Sequence, residues 1–84
     1  MKTIFKKTLF LDKGTQDVEF PKGAEILTAQ MQNGQACIWA IVDPKAALKP
    51  IPITLAWTGW TLEEGLNYVS TFQHEGLTWH VFKP

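Results

Sequence analysis

The sequence contains no arginine. Its eight basic residues are all lysines, and eight acidic residues bring the formal net charge to +0 at pH 7. A protein that reads duplex DNA needs a basic surface, and it recognises guanine most often through bidentate arginine contacts. The composition therefore argues against duplex DNA as a partner.

Cysteine and long apolar segments are also scarce. Cys37 is the single cysteine, which permits no disulfide framework and suits the reducing cytosol. No apolar run approaches the ~18 residues that a membrane span requires. Lys6, Lys7 and Asp12 interrupt the apolar stretch near the N-terminus, so no signal peptide is expected. These features predict a cytoplasmic protein without a membrane partner.

Side chains that carry catalysis or hold metals are few and scattered. Two histidines and one cysteine are too few for a closed zinc site, and the six glycines occur singly rather than in a phosphate-binding loop. Glu63 and Glu64 would diverge by about 100° on a helix, so they form no acid–base pair. We predict no metal, no cofactor and no catalytic residue. A Cys37–His80 dyad in a hydrolase is the alternative, set against a packed cysteine and a hydrogen-bonded histidine.

Asn33-Gly34 provides the strongest structural signal in the chain. Asn-Gly between two β-prone segments is typical of a hairpin, because a type I′ turn needs positive φ at both central positions. Residues 24–32 and 35–43 are therefore predicted to pair, with Thr28 opposite Trp39. Alternation along the strands places a wholly apolar set of side chains on the core face. That set comprises Leu27, Ala29, Met31, Ala36, Ile38, Ala40 and Val42.

Glu75-Gly76 indicates a second hairpin. It joins residues 68–73 to 77–82 and places Thr71 opposite His80 if the loop has two residues. The outer face of this hairpin is the more polar one, since Thr71, Gln73 and His80 alternate with apolar residues.

Three further segments are typical of strands. Residues 3–11 and 15–20 can return antiparallel to each other around the Asp12-Lys13-Gly14 turn. Residues 53–58 alternate apolar and polar positions, which is also typical of a half-buried strand.

Two segments interrupt the strand pattern. The three prolines within residues 44–52 indicate a loop, because proline cannot donate to a strand ladder. Thr61 and Glu64 match a capping box, which predicts one short helix near residues 62–68. We therefore predict a mainly β fold for a single domain over residues 1–84. About seven short strands would form a small antiparallel sandwich or a partly open barrel.

Four tryptophans in 84 residues are unusual. Trp57 and Trp79 fall on apolar faces and are predicted core residues, whereas Trp39 and Trp60 fall on a half-polar face and in a loop. An indole at a half-polar surface suits a subunit interface, a stacking platform for a ring or simple partial burial, and these three readings stay open. The candidate ligand- or partner-binding residues are Trp39, Trp60, Thr28, Gln30, Thr71, Gln73 and His80.

The chain carries a distinctive set of short motifs. They are PKGAEIL at residues 21–27, QMQNG at 30–34, IWA at 38–40, Asp43-Pro44, Thr58-Gly59, YVSTFQ at 68–73 and WHVF at 79–82. Together they resemble a small family of uncharacterised proteins from phages and prophage-carrying bacteria, and the resemblance covers most of the chain. Trp60, where a polar residue or histidine is expected, and residues 44–52 depart from the pattern. The resemblance implies a phage origin and a β fold, and it assigns no catalytic residue.

In a phage setting we expect a protein that acts by binding. Our first hypothesis is a homo-oligomer that sequesters a nucleotide-like signal of host defence, with Trp39 or Trp60 stacked on the base and the polar candidates bonded to it. The missing arginine counts against this hypothesis, because arginine is the favoured phosphate partner. The alternative is an inhibitor or accessory factor that binds a host protein through the Trp39 face or a β edge.

Overall fold

The structure, a computed structural model, describes residues 1–84 as an antiparallel sandwich of two sheets. In chain order the strands are β1 (Thr3–Thr8), β2 (Thr15–Pro21), β3 (Glu25–Gln32), β4 (Gln35–Val42), β5 (Leu48–Trp57), β6 (Asn67–His74) and β7 (Leu77–Lys83). Sheet A has the strand order β1-β4-β3, and sheet B has the order β2-β5-β7-β6. The predicted mainly β sandwich is confirmed.

Both hairpins form at the predicted turns. Asn33-Gly34 has φ angles of 51° and 79°, and Glu75-Gly76 has φ angles of 50° and 78°. These positive values are the ones that a two-residue hairpin loop of this kind needs. Thr28 pairs with Trp39 as predicted, and the second hairpin keeps its predicted register from Thr71 to the turn.

The predicted core position of Leu27 is wrong. Ile26 pairs with Ala40 while Thr28 pairs with Trp39, so Leu27 is the extra residue of a β-bulge. A bulge reverses the alternation on one side of itself, which turns Ile26 towards the core. Leu27 is left 42% exposed.

The two sheets enclose one apolar core. Trp79 is buried within it and Trp57 packs against it, so both tryptophans that were predicted as core residues lie there. The largest fully buried side chains are Phe20, Leu9, Ile38, Ile53, Leu55, Val42 and Val81.

Strands β1 and β2 do not form the hairpin that the sequence suggests. β1 pairs with β4 in sheet A, whereas β2 pairs with β5 in sheet B. The connection between them changes sheets, and the Gln16 side chain holds it by bonding the N–H and the C=O of Phe10 at 2.8 and 2.9 Å. A turn signal specifies a change of direction but not the sheet that receives the next strand.

The proline-rich segment is a strand for most of its length, contrary to the predicted loop. Pro50 and Pro52 lie in β5 and pair with Glu19 and Asp17 of β2. They are two residues apart, so both nitrogens face the same edge of β5. The Leu55 N–H donates towards the β2 side, to the Gly14 carbonyl, so the nitrogens of the even-numbered residues Pro50 and Pro52 face away from β2. Pairing of β5 with β7 begins only at Thr54, and no donor is missed there.

The predicted short helix near residues 62–68 is absent. Residues 58–66 instead form a connection between β5 and β6 without helical structure, here named the 58–66 loop. Gly65 has a φ of 85°, which a right-handed helix cannot accommodate. No helix in the structure is long and apolar enough to cross a bilayer.

Candidate functional site

A cleft of about 590 Å³ lies between the 58–66 loop and the outer side of sheet B. Thr54 and Ala56 of β5 and Thr15 of β2 lie on the sheet side of this cleft, here named the sheet B cleft. The loop contributes Trp60, Thr61, Leu62, Glu63 and Leu66. The cleft therefore combines an indole and two leucines with hydroxyl groups, which is the mixture typical of small-ligand sites.

Trp60 is exposed but held in place. Its ring centroid lies 4.5 Å from that of Trp57 at an interplanar angle of 61°, and Trp57 in turn meets Trp79 at 5.2 Å and 68°. The backbone N–H of Trp60 also donates to the backbone carbonyl of Trp57 at 3.1 Å. The side chain stays 45% exposed. Edge-to-face contacts of this kind fix a ring while leaving part of its surface available to a second ring.

Thr15 and Thr54 place a pair of hydroxyl groups in the same cleft. Their Oγ1 atoms lie 2.9 Å apart, and either one can donate to the other. Each hydroxyl has further acceptor capacity, because an oxygen of this type offers two lone pairs and one proton. The pair can therefore bond a donor on the edge of a ligand.

His80 lies one strand away from the cleft, within a row of hydrogen bonds. Its Nδ1 lies 3.1 Å from Thr71 Oγ1 and its Nε2 lies 3.1 Å from Thr58 Oγ1. Tyr68 extends the row, since its hydroxyl lies 2.8 Å from Thr71 Oγ1. His80 pairs with Ala56, which lies in the cleft. Both ring nitrogens have hydrogen-bond partners. His80 is therefore the hydrogen-bonded histidine that the sequence analysis set against the Cys37–His80 dyad.

Trp39 lies on the other side of the molecule, on the outward side of sheet A. Thr28 is its pairing partner, and Gln30 Nε2 lies 3.3 Å from Thr28 Oγ1. Cys37, two pairs further along and opposite Gln30, is buried at 3% exposure, and its Sγ lies 3.5 Å from the Gln35 carbonyl oxygen. We name the outward side of β1, β4 and β3 the Trp39 face.

The structure divides the candidate site residues into two groups. Trp39, Thr28 and Gln30 belong to sheet A, and Thr71, Gln73 and His80 belong to sheet B. The two groups therefore lie on the outward sides of different sheets. Trp60 is the one candidate residue that lines the sheet B cleft, since Thr71, Gln73 and His80 do not.

The Cys37–His80 dyad is not formed. Cys37 lies in β4 of sheet A and His80 in β7 of sheet B, and neither hydrogen-bond partner of the His80 ring is a sulfur. Cys37 is a buried free cysteine, which agrees with the reading that set a packed cysteine against the dyad.

Sequence reasoning missed most of the cleft. Thr15 and Thr54 were assigned to strands without a role, and Leu62 and Leu66 were assigned to a helix that does not form. One signal was available in the sequence. Gly65 precludes a long helix, so the apolar residues Leu62 and Leu66 lie in a loop, where apolar side chains can line a cleft. The pairing of β2 with β5, which brings Thr15 beside Thr54, had no local signal.

The charges at the cleft are few. Glu63 is the only acidic or basic side chain that lines it. No group of three or more histidine, cysteine or acidic side chains lies close enough together to hold a metal ion.

A family profile described as Domain of unknown function (DUF7352) matches residues 1–84. No curated protein matches the chain, and no solved structure does.

Proposed function

We propose that this chain, which belongs to the DUF7352 family of domains of unknown function, is a small binding protein whose ligand carries a planar heteroaromatic ring. The ring lies in the sheet B cleft and is held there without chemical conversion. The observation that carries the proposal is the exposed but fixed Trp60 at the side of a 590 Å³ cleft.

The size and lining of the cleft support a small ligand. Pockets for small molecules usually occupy ~300–1,000 Å³ and combine apolar walls with a few polar groups. Here Trp60, Leu62 and Leu66 supply the apolar part. The Thr15–Thr54 hydroxyl pair supplies hydrogen bonds that can fix the orientation of a ring edge.

The charge of the lining restricts the class of ligand. Glu63 lines the cleft, and no lysine does. A carboxylate disfavours a phosphate group nearby, because two like charges repel. A nucleotide-like ligand would therefore insert its base and leave its phosphates in solvent.

The biological setting that we propose follows the family resemblance. The protein would act in the cytoplasm of a bacterial host as the product of a phage or prophage. There it would withdraw a nucleotide-like signal of host defence from its receptor, and it would do so as a homo-oligomer. A protein without catalytic groups can act in this way by mass action alone.

Replacing Trp60 with alanine tests the site. Stacking of a base on an aromatic side chain is worth ~1–3 kcal/mol, so Trp60→Ala is expected to weaken binding by about 5- to 150-fold. The measurement is isothermal titration with a matched series of one nucleoside, its monophosphate, its triphosphate and a cyclic dinucleotide. The affinity is expected to stay level or to fall as phosphates are added, and Glu63→Gln is expected to remove such a fall.

Trp39→Ala is the matched control, because it removes the same side chain from the opposite side of the molecule. It should leave every affinity unchanged. A loss of binding in Trp39→Ala with none in Trp60→Ala would contradict the proposed site. The absence of heat and of any thermal shift with all members of the series would remove the proposal itself.

A further inference from the structure

The Trp39 face carries apolar side chains that the rest of the chain covers only in part. Trp39 and Ile41 form its centre on β4, and both are partly exposed. Ile4 pairs with Ile41 and is 58% exposed. Exposed apolar side chains that adjoin one another in this way are typical of an interaction surface.

Two opposite charges flank this apolar centre. Lys6 pairs with Trp39 on the β1 side, and Glu25 pairs with Ile41 on the β3 side. Paired residues of antiparallel strands share a side of the sheet, so Lys6, Trp39, Ile41 and Glu25 all point outward. Within the three strands no other charged residue pairs with an outward-facing position.

The positions of these charges allow a symmetric arrangement of two copies. Lys6 and Glu25 lie at opposite corners of the patch that Trp39 and Ile41 form, one on each neighbouring strand and at different levels. A second copy can be placed face to face about a twofold axis that lies in the interface, passes between Trp39 and Ile41 and is perpendicular to the line from Lys6 to Glu25. Lys6 of each copy then meets Glu25 of the other. A surface that matches itself in this way is the requirement for an isologous dimer.

We propose that the Trp39 face is the interface of a symmetric homodimer, closed by two Lys6–Glu25 pairs around the Trp39–Ile41 centre. In the single chain Lys6 Nζ donates to the neutral Gln32 Oε1 at 2.8 Å. A carboxylate is the stronger acceptor for an ammonium group, so Glu25 of the second copy replaces Gln32 on association.

The area of the face sets the strength of the dimer. Three strands spaced ~4.8 Å apart, which are six, eight and eight residues long at ~3.3 Å per residue, present roughly 350 Å² per copy. This is smaller than the ~800 Å² per partner of a standard specific interface. The dimer is therefore expected to dissociate in the micromolar range rather than to be permanent.

A charge-swap series measured by sedimentation equilibrium between 1 and about 300 µM tests the proposal. The wild-type protein is expected to associate to a dimer within this range. Lys6→Glu and Glu25→Lys, each of which creates two like-charge pairs in the dimer, are each expected to weaken association at least tenfold. The double variant with both changes restores opposite charges and should return to within about threefold of wild type.

Glu19→Lys is the matched control, because it makes the same change of charge on β2 of sheet B. It should leave association unchanged, and thermal unfolding should show all four variants folded. A wild-type protein that stays monomeric throughout this concentration range would overturn the proposal. This holds even if the Trp39 face binds a host protein instead of a second copy. Failure of the double variant to restore the dimer would overturn the paired geometry. None of these results depends on a ligand, so the proposed cleft stands or falls separately.

Discussion

At the scale of single residues, Ser70 joins the two sheets by itself. Its Oγ accepts a hydrogen bond from the Ala29 N–H at 2.8 Å and donates one to the Ala29 carbonyl at 2.8 Å. The side chain thus imitates the pair of bonds that a neighbouring strand would make, at the place where β3 of sheet A meets β6 of sheet B. One hydroxyl partly closes the sandwich towards a barrel.

Ser70→Ala is expected to lower the free energy of unfolding by about 2–6 kcal/mol. The change leaves a buried N–H and a buried carbonyl of Ala29 without partners, and each costs about 1–3 kcal/mol when water cannot replace the lost bond. Urea unfolding followed by circular dichroism measures it.

Gln73→Ala, an exposed position on the same strand, is the control and should stay within about 0.5 kcal/mol. If Ser70→Ala changes stability as little as this control, the hydroxyl does not join the sheets.

At the scale of elements, the sequence predicted the two hairpins, because the residues of their turns determine them locally. The Asn33-Gly34 and Glu75-Gly76 loops fix both hairpins because few residues adopt positive φ at low cost. The pairing of β1 with β4 was missed because its partners are far apart in the chain, and the capping box at Thr61 was outweighed by Gly65.

The bulge at Leu27 shows a further limit of local reasoning. One extra residue exchanges the sides of Ile26 and Leu27, although both are β-prone and apolar, so their chemistry does not say which one faces the core. The same limit applies to the candidate site. Trp60 could be identified from the sequence because it is a tryptophan in a loop, whereas Thr15 and Thr54 become neighbours only because β2 pairs with β5.

Alanine substitutions at the two positions test the bulge. Ile26→Ala is expected to lower the free energy of unfolding by about 1–3 kcal/mol, because the side chain packs against the core. Leu27→Ala should cost less than about 0.5 kcal/mol, because its side chain is 42% exposed and its neighbours lose little contact. The measurement is chemical denaturation of both variants in the same buffer. A regular hairpin without the bulge requires the opposite order, with Leu27→Ala the more costly change.

At the scale of the whole molecule, the sandwich separates its two candidate surfaces. The molecule measures 39 × 31 × 17 Å, so it is a thin slab with two broad sides. The sheet B cleft opens on one broad side and the Trp39 face forms the other, with the shared apolar core between them. A substitution in one of these surfaces therefore changes no contact in the other.

This separation predicts that ligand binding and dimerisation are independent. Two sites are coupled only if one ligand changes the free energy of binding at the other, and no residue of β1, β3 or β4 lines the cleft. Each chain of the dimer should bind one ligand, because both clefts face away from the interface. Titration of the wild type and of the more weakly associating Lys6→Glu variant with the same nucleoside should give dissociation constants that agree within about twofold. A larger difference would mean that the second copy contributes to the cleft, and would place the two surfaces in one site rather than on opposite sides of the slab.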